Sequence, residues 1–280
     1  MEKITFTAPD GANLVADSIG RGPPVLLLHG GGQTRGAWRR TAAALADRGY
    51  HAIAPDARGH GDSAWATQGY TLDVFSADLR AIVQAVGESP ALVGASLGGL
   101  TALLAIGESA QPIASALVLV DIATRIESEG AESIRRFMTA NPDGFDTLEA
   151  AADAVARYLP HRPRPKDISG LRRNLREGAD GRLYWHWDPS MFSNTDMGAR
   201  EVMTARVERA AAKIAVPTLL VRGTLSEIVS SAAVDRLREI LPSVEVAEVS
   251  GAGHMVAGDS NTVFASTTLD FLARVYPSTL

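Results

Sequence analysis

Six short apolar runs, each set apart from the next by a longer stretch, constrain this chain more than any other feature in it. They fall at 25–28, 51–54, 91–93, 116–121, 218–222 and 244–249. Each is too short for a buried helix, and most of the stretches between them carry apolar residues at amphipathic-helix spacing. Parallel strands joined by crossover helices produce this alternation. The pattern predicts helices over 37–48, 72–86, 97–106, 231–240 and 262–275. Ahead of the first run, 4–7 and 14–17 flank the turn pair Asp10-Gly11, which predicts an opening β-hairpin.

Between the fourth run and the fifth the rhythm changes. Residues 123–214 read as charged helical segments with no convincing strand, which predicts an inserted helical cap. Pro142, Pro160, Pro163, Pro165 and Pro189 fall inside it. Proline lacks the N–H that a helix interior needs, so several short helices are expected rather than one long hairpin. The expected organisation is a core built from 1–122 and 215–280, with the cap at 123–214. A chain of 280 residues that is 46% hydrophobic has enough apolar material for one large core carrying such an insertion.

Charge narrows the partners. A net charge of -5 gives no broad positive field, which argues against nucleic acid or an anionic membrane and for a small, largely neutral substrate. The absence of cysteine excludes disulfides, a thiolate nucleophile and a thiolate metal site. Residues 1–8 hold no basic segment followed by an apolar run, so the expected location is the cytoplasm. The charge-free stretch 91–107 is shorter than the roughly 20 residues a membrane span needs and is broken by glycines. It reads as strand, turn and helix. Composition leaves the oligomeric state open.

The chemistry starts at Gly94-Ala95-Ser96-Leu97-Gly98, a G-x-S-x-G pattern between a predicted strand and a predicted helix. The bare pattern is common by chance; its position is what makes it informative. A sharp strand-to-helix turn strains the serine and needs small neighbours, and the helix N-terminus behind it favours developing negative charge. Ser96 is therefore the candidate nucleophile. His29-Gly30-Gly31-Gly32 directly follows the first apolar run, where glycines let backbone N–H groups approach a reacting carbonyl. The N–H groups of Gly31 and Leu97 are the candidate oxyanion hole. Ser250-Gly251-Ala252-Gly253-His254 forms a loop after the last run, and His254 is the best-placed general base among the six histidines.

These stretches, with DARGHGDS at 56–63 and LVLVDIA at 117–123, resemble the α/β-hydrolase superfamily of the cap-bearing, serine-dependent, esterase-like kind over nearly the full length. The resemblance implies an α/β-hydrolase fold: a mostly parallel eight-stranded sheet flanked by helices, with the active site at the strands' C-terminal ends and the cap above it. It also implies a triad acid, for which two carboxylates compete. In many relatives the acid lies three residues after a glycine beyond the later strand, but here that position is Ser226, and Glu227 comes one residue late. In others the acid ends the earlier strand, which selects Asp121. Asp121 is the preferred acid and Glu227 the alternative. Asp56, Arg58, His60 and Asp62 read as a structural loop near the site. Trp185 and Trp187, in the aromatic stretch 184–188, and Trp38 are candidates for lining a substrate pocket or for plain packing.

The reaction these parts imply is hydrolysis of a carboxylic ester, thioester or lactone through an acyl-enzyme, with no metal and no organic cofactor. Ser96 argues against the epoxide hydrolases and dehalogenases of the superfamily, which place an aspartate at the elbow. Carbon–carbon bond hydrolysis and cofactor-free perhydrolysis use the same triad and stay open. A non-enzymatic ligand receptor of the same fold is the alternative from another class.

Overall fold

Alternate residues of the central strands face opposite sides of the sheet, and both sides are apolar. The computed structural model describes residues 1–160, 164–192, 197–254 and 261–278; Pro163 and His161 of the expected cap lie outside them. The main sheet contains β1 (Glu2–Thr7), β2 (Asn13–Ile19), β3 (Pro24–Leu28), β4 (His51–Pro55), β5 (Ala91–Ala95), β6 (Ala116–Val120), β9 (Thr218–Gly223) and β10 (Glu245–Val249). Their order is β1-β2-β4-β3-β5-β6-β9-β10. The β1–β2 and β2–β4 pairs are antiparallel and all others parallel. This is the expected eight-stranded, mostly parallel sheet, and the hairpin turns at Asp10-Gly11 as predicted.

Two layers of helices cover the sheet. Leu26, Leu92 and Leu117 face a core completed by α2 (Leu72–Val86), α3 (Leu97–Gly107), α6 (Met197–Ala211) and α7 (Ser231–Ile240). Val25, Val93 and Val118 face the other way, onto α1 (Arg39–Asp47) and α8 (Asn261–Val275) through Leu45, Phe264 and Leu272. Each fully buried leucine contributes about 1.5–3 kcal/mol relative to an exposed one. The helices begin and end where local chemistry dictates. Thr71 accepts a cap bond from Val74 N–H at 3.3 Å, Ser230 accepts one from Ala233 N–H at 3.2 Å, and α2 ends on Gly87 with φ 79°.

The stretch between β6 and β9 corrects one expectation. It contains α4 (Ser128–Thr139) and α5 (Leu148–Tyr158), with Pro142 between them and Pro160 just beyond α5, but also an antiparallel ribbon of β7 (Leu175–Glu177) and β8 (Leu183–Trp185). No strand was expected there because three residues are too few to display a period of two. The turn is set by Gly178, whose N–H donates to Arg182 O at 2.8 Å, and by Gly181 at φ 77°. Within the same stretch, α6 belongs to the helical layer of the core, where Val207 and Ala210 pack with α3 residues such as Leu103. Met138, Phe145, Leu183, Trp185 and Trp187 form a separate small core.

Candidate active site

The residues singled out for chemistry stand at the C-terminal ends of β3, β5, β6 and β10. Ser96 lies between β5 and α3 with φ 46° and ψ -113°, a conformation that costs a non-glycine residue about 1–3 kcal/mol. The bend is feasible because its neighbours are small: a Cβ on Gly98 would lie 2.4 Å from the Leu28 carbonyl oxygen. Any larger residue would push α3 off β3. Below the serine the backbone is tied down, with Ser96 N–H donating to Val120 O at 3.3 Å and Leu100 N–H to Ser96 O at 3.0 Å.

Of the three glycine N–H groups after β3, one has no acceptor among the described residues. Gly30 N–H is held by Gln33 Oε1 at 2.9 Å and Gly32 N–H by His60 Nε2 at 3.0 Å. Gly31 N–H, between them, has no acceptor among the described residues. Leu97 N–H opens α3, where first-turn donors have no intrahelical partner.

Asp121 and His254 meet. His254 Nδ1 lies 2.8 Å from Asp121 Oδ2, and the carboxylate is fully buried. The same carboxylate accepts Gly223 N–H at 3.0 Å on Oδ1 and the Ser226 hydroxyl at 2.5 Å on Oδ2. Asp121 is the second non-glycine residue in the described chain with positive φ, at 47°, close to the φ of Ser96. Glu227 is exposed, and the carboxylate beside His254 is that of Asp121. Ser226, which occupies the position where an acid was sought, instead donates to the Asp121 carboxylate at the end of β6. Its hydroxyl oxygen also accepts the N–H groups of Ile228 and Val229, at 3.2 and 3.0 Å.

Ser96, Gly31, Leu97 and His254 all line one cavity of about 740 Å³. Its further walls come from α4, α5 and the 169–191 stretch, including Phe137, Met138, Tyr158 and Leu171. Burial pushes the Tyr158 phenol up to about 12, so it keeps its proton at neutral pH. Nothing in the sequence singled it out. Trp185 and Trp187 line the cavity and also stack on each other at 4.9 Å within the small core, so they both pack and border the site. Trp38 is 1% exposed, packs against Phe264 and borders the cavity.

Beneath the glycine loop, three buried histidines bridge backbone groups. His29 Nε2 accepts Ala57 N–H at 2.9 Å, leaving Nδ1–H for Gly30 O at 2.8 Å. His60 Nε2 accepts Gly32 N–H, leaving Nδ1–H for Arg58 O at 3.1 Å. His186, from the inserted stretch, accepts Gly61 N–H on Nδ1 at 2.9 Å and turns Nε2–H to Gly32 O at 3.2 Å. Each ring accepts one N–H, which requires the neutral form. Burial holds His29 below its usual range, His60 well below, and His186 at about 4. The 56–63 loop is structural as read: Asp56 accepts Arg35 N–H at 2.7 Å and Asp62 N–H at 2.9 Å, and Arg58 pairs with buried Asp78 at 2.8 Å and with Asp10 at 2.7 Å. Among the described residues no three His, Asp or Glu side chains are arranged to hold a metal ion, and no helix is long and apolar enough to cross a membrane.

Comparison with known proteins agrees with this architecture. A family model described as alpha/beta hydrolase fold matches residues 23–260. The chain is 26% identical over 257 residues to the 2-(acetamidomethylene)succinate hydrolase of Mesorhizobium japonicum, covering 90% of this chain and 89% of the relative. It is 31% identical over 254 residues to an esterase of Mycobacterium tuberculosis, covering 86% and 79%. A crystal structure of E-2-(acetamidomethylene)succinate hydrolase superposes with a TM-score of 0.83 at 24% identity, over 97% of this chain and 99% of that one.

Proposed function

The chain belongs to the alpha/beta hydrolase fold family, and on that premise we propose that it is a serine hydrolase acting on a carboxylic ester, thioester or lactone through an acyl-enzyme. One observation carries the reading: His254 is held through Nδ1 by a buried carboxylate, while Ser96, on a strained elbow, borders the same cavity.

The geometry supports the following roles. With Nδ1–H donated to Asp121, Nε2 of His254 is the basic nitrogen, able to take the Ser96 proton as Oγ attacks the carbonyl carbon. Negative charge gathers on the carbonyl oxygen, and we assign the Gly31 and Leu97 N–H groups as its donors, each worth about 3 kcal/mol in the transition state. His254 then gives its proton to the leaving oxygen or sulfur as the carbon–heteroatom bond breaks. A water, deprotonated by the same imidazole, attacks the acyl-enzyme, releases the acid and restores Ser96. The stretch between β6 and α6 serves as a cap that walls the acyl pocket.

Treatment with a fluorophosphonate followed by peptide mass mapping tests this. The expected label is on Ser96, prevented in Ser96→Ala; labelling elsewhere, or none in wild type, rejects the assignment.

A further inference from the structure

The cavity beside Ser96 also carries a charge pattern that acyl transfer itself does not use. The inference it supports deepens the serine-hydrolase reading and rests on it. Three arginines, Arg39, Arg135 and Arg173, line the cavity among the described residues, with no aspartate or glutamate. That sign is opposite to the net charge of the chain, -5. Arg135 is already neutralised on its own helix by Glu132, through bonds of 2.8 and 2.5 Å.

Arg39 and Arg173 are different. Among the described residues neither guanidinium has a hydrogen-bond or ion-pair partner. Both are exposed to solvent at the cavity wall, whereas Arg206 grips Asp73 and Glu108, and Arg236 grips Glu208 and Glu239. Arg39 begins α1 directly after Trp38, and Arg173 lies in the 3-10 turn Ser169–Asn174, so core and inserted stretch supply one each. Much of the remaining lining is apolar and aromatic, as at Phe137, Leu171 and Trp187.

We infer that the substrate is an anion, whose hydrocarbon part lies along the aromatic wall and whose carboxylate or phosphate, remote from the scissile carbonyl, pairs with Arg39 and Arg173. The guanidinium fork matches the geometry of either oxyanion and stays charged at any working pH. A neutral substrate of equal length leaves both forks without a partner, so the site discriminates by charge as well as by size. The local field also raises the encounter rate of anions against the overall negative charge, an effect that salt suppresses.

Two substrate pairs separate the sources of the anion. p-Nitrophenyl monoesters of glutaric, adipic and suberic acid, against p-nitrophenyl alkanoates of equal length, put the charge on the acyl side. Coenzyme A thioesters, against N-acetylcysteamine thioesters of the same acyl group, put it on the leaving group. The expected result is a preference of about tenfold or more in kcat/KM for the charged member of one pair, shrinking as salt rises. Arg39→Ala and Arg173→Ala should each raise KM for that member about tenfold more than for its neutral counterpart. Preference for the neutral member in both pairs, or equal losses for charged and neutral members, overturns the inference.

Should no ester or thioester turn over, the hydrolase reading fails and binding decides the charge question separately. Calorimetry with suberic acid monoamide and its uncharged diamide serves for that. Binding of the monoamide alone, weakened in both arginine variants, upholds the anion site; equal binding of the two, or none, removes it.

Discussion

Ser226 donates its hydroxyl to Asp121 Oδ2 at 2.5 Å across a separation of 105 residues, on the same oxygen that faces His254 Nδ1. The turn after β9 therefore supports the carboxylate that ends β6, so the two loops that each offered a candidate acid cooperate here. With Gly223 N–H on Oδ1, the carboxylate is held by three donors and has little freedom to rotate away from the imidazole.

This arrangement predicts that the acid can be moved. Asp121→Asn should lower kcat by about 10⁴, since an amide cannot stabilise the imidazolium. Adding Ser226→Asp to that variant places a carboxylate on the neighbouring loop and should restore kcat at least about tenfold. Steady-state kinetics of the two variants, with circular dichroism to confirm folding, decides it; a double variant no faster than the single one sinks the cooperation of the loops. Glu227→Gln should leave activity near wild type.

A pH prediction comes from His186. Its pKa is about 4 in the folded chain, below the ordinary 6.5, because burial disfavours the charged ring. The unfolded chain takes up this proton first as pH falls, so the stability it contributes is full above about 6.5 and is lost on descending to about 4, by about 3 kcal/mol. His29 and His60 are shifted in the same direction. Melting temperature followed from pH 7 to pH 4 should fall less steeply in His186→Gln than in wild type. Parallel curves would show that this imidazole is not the sensor.

Because His186 bonds both Gly32 O and Gly61 N–H, the inserted stretch is tied to the loop that presents Gly31. Gly32 is where that tie is most easily strained: its φ is 73°, and a Cβ there would lie 2.5 Å from Met138 Cε and 3.4 Å from the Trp187 ring. Gly32→Ala should cost about 1–2 kcal/mol of stability from backbone strain. It should also lower kcat more than that loss explains, by shifting the Gly31 N–H. Urea unfolding and kinetics on the same preparation test both parts; a stability loss with unchanged kcat refutes the second.

The buried pair Arg58–Asp78 makes a contrasting prediction. Both partners are under a tenth exposed, so Asp78→Ala leaves a buried guanidinium short of a partner and should destabilise by about 3–5 kcal/mol. Asp10, the other partner, is mostly in water, and Asp10→Asn should leave the urea midpoint close to wild type. Equal effects of the two substitutions would contradict the burial argument.

Most of the sheet was legible without coordinates. Buried parallel strands such as 116–120 must be apolar along their whole length, and the helices between them must show a three-to-four period, so pattern and structure coincide. The β7–β8 ribbon escaped because three residues carry no period, and α6 was read with the insertion because its own sequence does not reveal which layer it covers.

What the amino-acid sequence determined by itself was local: the serine at a glycine-flanked strand end, the glycine loop after β3 and the histidine after β10. Each depends on short-range sterics, which neighbours in the chain dictate. Tertiary structure alone put the Asp121 carboxylate, and not that of Glu227, beside His254, gave Ser226 its hydrogen bond, set the protons of the three histidines and brought Arg39 and Arg173 to one cavity. Those are contacts between residues tens to more than a hundred positions apart, and their energies depend on burial and distance, which exist only once the sheet has assembled.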